Sequence, residues 1–173
     1  MNRKQAMPAG RQGFTLIELM IVMVIMGILV TIGVTAFTSS MKKGRDSTRK
    51  ANLRAITNAL EMYYNDNGRY PAGDTNGAIV GCSSVLPIIP TPCVINSAFK
   101  DANGTMYMQQ LPSDPQYPSK IYYYRAPSTS QFQIYARLEN NQDPALITPT
   151  PPVPSCGSSG SCNWGLSSGN ITP

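Results

Sequence analysis

From Phe14 to Phe37 the chain reads FTLIELMIVMVIMGILVTIGVTAF, apolar all round a helix, with Glu18 as its only charge. At about 1.5 Å per residue this stretch spans roughly 36 Å as a helix, enough to cross the hydrocarbon core of a bilayer. Further on, Leu53, Ile56, Ala59, Leu60, Tyr63 and Tyr64 recur at three- and four-residue spacing, which makes one apolar stripe. Nothing stops the helix firmly before Asn65-Asp66-Asn67-Gly68, and Pro71 follows. The pattern therefore predicts one helix from Phe14 to Asn65. Its first half suits lipid or a bundle of copies, and its second half suits a sheet packed on one side.

Beyond the helix the period changes to two. In Gln131–Leu138, Phe132, Ile134, Ala136 and Leu138 alternate with polar or amphipathic residues, as in a half-buried strand. Ile121–Ala126 is its predicted partner across Pro127-Ser128-Thr129-Ser130, and Ala145–Thr148 is expected to add a third short strand. The chain reads as α+β: a long N-terminal helix, a small antiparallel sheet, and irregular Pro-rich loops over 71–120.

Composition changes the picture in one respect. Charged residues make up 13% of the chain, about half of what a typical soluble domain carries, while the apolar share of 42% is ordinary. Of 15 Pro, 14 lie at position 71 or later. There is no His, which removes Ser-His-Asp and Cys-His nucleophiles and the commonest transition-metal ligand. The nine carboxylates are scattered, and no phosphate loop appears. These features predict a protein that is not an enzyme and needs no cofactor or metal. Tyr122, Tyr123 and Tyr124 alternate faces, so they read as core or subunit contact rather than as a ligand platform.

The first 13 residues carry Arg3, Lys4 and Arg11 and no acid. The apolar run after them exceeds the length of a secretory signal, and no A-x-A-like site follows it. A carboxylate inside a spanning helix costs roughly 2.5–3.5 kcal/mol at its centre, less near an end, and calls for a partner. A cut between Gly13 and Phe14 would supply one, because the new α-amino group lies one helical turn from Glu18.

Gly13-Phe14-Thr15-Leu16-Ile17-Glu18, after a short basic leader and before an unbroken apolar helix, resembles the signal of type IV prepilins and type II secretion pseudopilins. The resemblance implies a pilin-like fold, cleavage after Gly13 by prepilin peptidase, and N-methylation of Phe14. It implies a single-pass anchor in membrane lipid of the inner membrane, then transfer through an inner-membrane assembly platform into an extracytoplasmic filament of many copies. Glu18 would neutralise the Phe14 amine of an adjoining subunit. Many family members carry Pro near the far end of the apolar stretch, where this chain has Thr35. Tyr64, Asn67-Gly68-Arg69-Tyr70-Pro71, Leu111-Pro112-Ser113-Asp114-Pro115 and Asn163-Trp164-Gly165-Leu166 look like stations along major pseudopilins. Members of that group usually carry an acidic calcium loop before a final Trp motif. Residues 144–162 contain no acid here, so no metal site is carried over.

Lys42, Lys43, Arg45, Arg49, Lys50 and Arg54 follow the apolar run, offset nearby only by Asp46. A positive-inside count would place the following residues in the cytoplasm. Cys82, Cys93, Cys156 and Cys162 argue for an oxidising, extracytoplasmic side. Four Cys allow three connectivities; the local pairs Cys82–Cys93 and Cys156–Cys162 close the shortest loops and are the expected ones, with zinc through four thiolates as the alternative. The six basic residues read as a solvated face near anionic lipid, and DNA is their second reading.

The Pro-rich passage Thr148–Pro154 leads into a Ser/Gly-rich tail, read as a linker outside the core. Asn103-Gly104-Thr105 and Asn170-Ile171-Thr172 match the N-glycosylation acceptor pattern. The expected organisation is a leader over 1–13, a membrane and filament-core helix over 14–37, an amphipathic helix over 38–65, a β head over 66–148, and a tail over 149–173. The first functional reading is a type IV pilin, with a type II secretion pseudopilin as the alternative and a competence-type DNA-binding pilin below both.

Overall fold

The computed structural model describes residues 13–82, 91–149, 154–158, 160–169 and 171–173. The basic leader before Gly13, the middle of the Pro-rich passage and Asn170 lie outside the described residues. The chain divides into two units, Met1–Ser40 and Met41–Pro173.

Helix α1 runs from Leu16 to Asn67. It ends two residues later than predicted, because Gly68 (φ 66°) supplies the left-handed cap and its N–H bonds the Tyr64 carbonyl at 2.8 Å. In the first unit the apolar side chains are exposed, from Phe14 at 88% to Phe37 at 65%.

In the second unit the predicted stripe is the core face of α1. Leu53, Ile56, Ala59, Leu60 and Tyr63 are buried against Phe99, Tyr124, Phe132, Ile134 and Trp164. The main sheet holds β5 (Tyr123–Ser128), β6 (Gln131–Ala136) and β7 (Trp164–Ser167), antiparallel in that order. Tyr124 faces Ile134, which in turn faces Leu166. Pro127 lies within β5 rather than in the turn, where the register shifts between Arg125 and Ser128 and spares it a ladder hydrogen bond. Two small hairpins complete the unit: β1 (Ala72–Gly73) with β2 (Ile79–Val80), and β3 (Phe99–Lys100) with β4 (Met106–Met108).

Two expectations are corrected. The third strand is not Ala145–Thr148, whose described main-chain bonds include only one reach to this region, Ile147 N–H to Asn163 O at 2.9 Å. It is Trp164–Ser167, from the stretch read as a tail. Gly165 permits this pairing, since a Cβ there would stand 2.7 Å from the Tyr135 ring and 2.8 Å from the Ile134 carbonyl. As a consequence β6 is buried on both faces rather than one. Phe132, Ile134 and Ala136 face the main core, while Tyr135 packs on Cys156 and Cys162. Gln133 Nε2 donates to the Thr172 carbonyl at 2.6 Å. Residues of the Ser/Gly-rich stretch thus build a second small core.

Candidate functional site

Gly13 and Phe14 are exposed ahead of α1. Thr15 and Glu18 then form a reciprocal cap. The Thr15 N–H and hydroxyl donate to Glu18 Oε2 at 2.8 and 2.7 Å, and the Glu18 N–H donates to Thr15 Oγ1 at 3.3 Å. This satisfies donors that the helix start leaves without partners. Its sequence signal is T-x-x-E, Thr15 to Glu18, at the start of the apolar run. Glu18 therefore has a local partner before any cut exposes an amine.

The basic run separates into two groups. Lys42, Lys43 and Arg54 are exposed. Arg45, Arg49 and Lys50 instead turn to acids from distant segments; Arg49 is buried and so is not part of a solvated face, while Arg45 and Lys50 stay partly exposed. Arg49 is fully buried, donating to Asp114 at 2.7 and 3.0 Å, to Asp46 at 2.7 Å and to Glu139 at 2.7 Å. Arg45 forks onto both Glu139 oxygens at 2.8 and 2.6 Å, and Lys50 reaches Asp143 at 2.6 Å. The Asp46 carboxylate also accepts the Glu139 and Asn140 N–H groups, which holds that loop on α1.

The electrostatics follow from this geometry. Burial opposes the charge of Arg49, but its hydrogen bonds to Asp114 and Glu139 overcome that and raise its pKa. The Arg45 hydrogen bond, against burial and with help from Arg49, pulls the Glu139 carboxyl from 4.5 to about 2. Burial and the nearby Arg49 charge lower the pKa of Lys120, whose Nζ lies 3.6 Å from Glu139. A buried cluster of this kind is tolerable because the charges are paired and hydrogen-bonded.

Cys82 is bonded to Cys93, and Cys156 to Cys162. Tyr124 is buried in the main core and donates to the Pro71 carbonyl at 2.7 Å. Tyr122 packs on the same core and Tyr123 on the second, so the three rings do not form one platform. Among the described residues no three or more Asp, Glu, His or Cys gather in a group that could hold a metal ion. The head strings occupy structural positions: Asp114 holds Arg49, Tyr64 stacks on Tyr70 with ring centroids 4.5 Å apart, and the Asn163 side chain bonds both N–H and C=O of Leu138.

Residues 8–34 match a family model described as the prokaryotic N-terminal methylation motif. Residues 36–144 match another, described as type II secretion system (T2SS), protein G. The type II secretion system core protein G of Pseudomonas aeruginosa is 33% identical over 137 residues, which is 79% of this chain and 85% of that protein. Proteins of the same name from Aeromonas hydrophila and Escherichia coli are 32% and 33% identical over 105 residues, 61% of this chain and 67% and 66% of theirs. No solved structure gives a significant match.

Proposed function

Because this chain belongs to the type II secretion system protein G family, we infer that it is a structural pseudopilin subunit. Its work is assembly rather than turnover. The subunit is made with a leader, cut after Gly13, N-methylated on Phe14, and held in the inner membrane by the 14–37 helix. Prepilin peptidase and an inner-membrane assembly platform are its partners before it joins a pseudopilus with other copies. The observation that carries this reading is the run of exposed apolar side chains from Phe14 to Phe37 directly after the Gly13–Phe14 bond. Such a surface needs cover, and lipid followed by the same helix of neighbouring subunits supplies it.

Two observations favour the type IV pilin as a second reading: the disulfide Cys156–Cys162 and the absence of acids over 144–162. Deleting the chain in its own cell separates the two. A pseudopilin predicts loss of exported enzymes from the medium with no loss of surface fibres. Loss of long fibres with normal export would overturn the pseudopilin reading in favour of the pilin. The DNA-binding reading is weakened, since Arg45, Arg49 and Lys50 are engaged within the fold.

A further inference from the structure

The chain contains three Asn-Gly pairs: Asn67-Gly68, Asn76-Gly77 and Asn103-Gly104. In this dipeptide the Gly main-chain nitrogen can attack the Asn side-chain carbonyl, because no side chain on Gly crowds the approach. All three glycines have positive φ, at 66°, 82° and 87°. Their surroundings differ. The Asn67 amide donates to the Tyr63 carbonyl and to the Tyr107 hydroxyl, both at 3.0 Å. Attack there must break both bonds.

Asn76 and Asn103 form a matched pair, at the turns of the β1–β2 and β3–β4 hairpins. In each turn an Asp carboxylate accepts two main-chain N–H groups. Asp74 takes those of Asn76 and Ala78 at 2.9 and 2.6 Å, and Asp101 those of Asn103 and Thr105 at 2.9 and 2.8 Å. Each Gly N–H donates to the Asp carbonyl, at 3.2 Å for Gly77 and 3.1 Å for Gly104. What separates the two is tertiary. Gly77 is buried under the Tyr123 ring, which a Cβ would strike, and its carbonyl accepts the Tyr124 N–H at 2.8 Å. Gly104 is exposed, with nothing within 4 Å of where a Cβ would stand.

We propose that Asn103 is a self-modification site, deamidating through a cyclic imide with water as the only co-reactant. The Gly104 nitrogen bonds to Asn103 Cγ, the Cγ–Nδ2 bond breaks, and ammonia leaves with the Gly104 amide proton. Water then opens the ring, at Cγ to give Asp or at the main-chain carbonyl to give isoaspartate. Isoaspartate adds a methylene to the main chain inside the turn that Asp101 organises. Asp101 also accepts the Tyr107 hydroxyl at 3.1 Å, and Tyr107 meets Asn67 at the end of α1. Ageing at Asn103 therefore loosens the β3–β4 hairpin from α1.

The test is peptide mapping of the full-length protein in detergent during incubation at mildly alkaline pH, with the same protein unfolded in urea as control. In the folded chain Asn103 converts at least about tenfold faster than Asn67, the ratio set by roughly two ordinary hydrogen bonds, and faster than Asn76, whose Gly77 is held by the Tyr123 ring and the Tyr124 N–H. In urea the three rates converge. Tyr123→Ala raises the Asn76 rate towards that of Asn103 and leaves Asn103 unchanged. Equal rates in the folded chain, an Asn103 that stays intact, or full occupancy of its amide by a glycan overturns the proposal.

Discussion

Arg49 and Asp114, 65 positions apart in the chain, form a two-point ion pair with neither side chain exposed to solvent. The pair ties α1 to the loop that leads into β5. Arg49 stands in a stretch that looks like a solvated basic face, and its burial is the largest departure from that expectation. Truncating Asp114 would strip the buried Arg49 Nε and Nη2 of their carboxylate and leave Asp46 and Glu139 to hold the charge.

Asp114→Ala is expected to lower the unfolding free energy by about 1.5–3 kcal/mol, the range for hydrogen bonds to a charged group, because Asp46 and Glu139 still neutralise the guanidinium. Arg49→Lys is expected to be poorly tolerated too, because an ammonium cannot reproduce the guanidinium fork. Urea unfolding followed through the single Trp164 measures both. A loss for Asp114→Ala below about 1 kcal/mol, the value of an exposed pair, would show that the cluster does not hold the fold.

Acid should unfold the second unit through its carboxylates. Glu139 binds its proton less readily folded, at about 2, than unfolded, at 4.5. Its stabilisation is complete above about pH 4.5 and drains away as pH falls towards about 2. Asp143, lowered mainly by its hydrogen bond from Lys50, acts in the same direction. Stability measured from neutral to acid pH is expected to stay level and then fall, with a shallower fall in Glu139→Gln. Identical acid slopes in the two proteins would remove Glu139 from this account.

Glu18 combines a cap with a charge, and two substitutions separate these roles. Glu18→Gln keeps a side chain able to close the box with Thr15, whereas Glu18→Ala does not. If charge pairing with the Phe14 amine drives assembly, both variants stay in the membrane and neither forms filaments. Thr15→Ala loses roughly 1 kcal/mol of helix start yet still assembles. Normal filaments from Glu18→Gln would sink the charge-pairing role.

The two disulfides offer a comparison of loop length with burial. Chain entropy alone assigns about 3 kcal/mol to Cys82–Cys93 and about 2 kcal/mol to the shorter Cys156–Cys162 loop. Burial argues the reverse: Cys156 and Cys162 are 0% and 2% exposed on Tyr135, while Cys82 is only partly buried. Replacing each pair with Ser is therefore expected to cost more at Cys156 and Cys162. The opposite order in thermal unfolding would mean that the second core contributes little.

Much of this protein was legible without coordinates because its signals are local. Gly13–Glu18 pointed to the family, and the resemblance read there agrees with the matches over residues 8–34 and 36–144. The apolar run, the stripe from Leu53 to Tyr63 and the alternation in Gln131–Ala136 are periodic patterns that a helix or strand imposes on its own neighbours in sequence. The T-x-x-E cap is equally local, but the sequence also offers Glu18 a competing partner in the amine that a cut at Phe14 would create.

Sequence by itself determined where the chain is helix, where it alternates, and which end is greasy. Tertiary structure alone decided that Arg45, Arg49 and Lys50 are paired with Glu139, Asp114 and Asp143, because those acids come from other segments. It also decided that Trp164–Ser167, and not Ala145–Thr148, completes the sheet. A strand is chosen by which edge it can reach and by what its side chains meet there, and Gly165 fits against Tyr135 where a larger residue would not. The same holds for the matched turns at Asn76 and Asn103, alike in their local hydrogen bonds and set apart by what packs on them, Tyr123 and the Tyr124 N–H at Gly77 and the Tyr107 hydroxyl at Asp101.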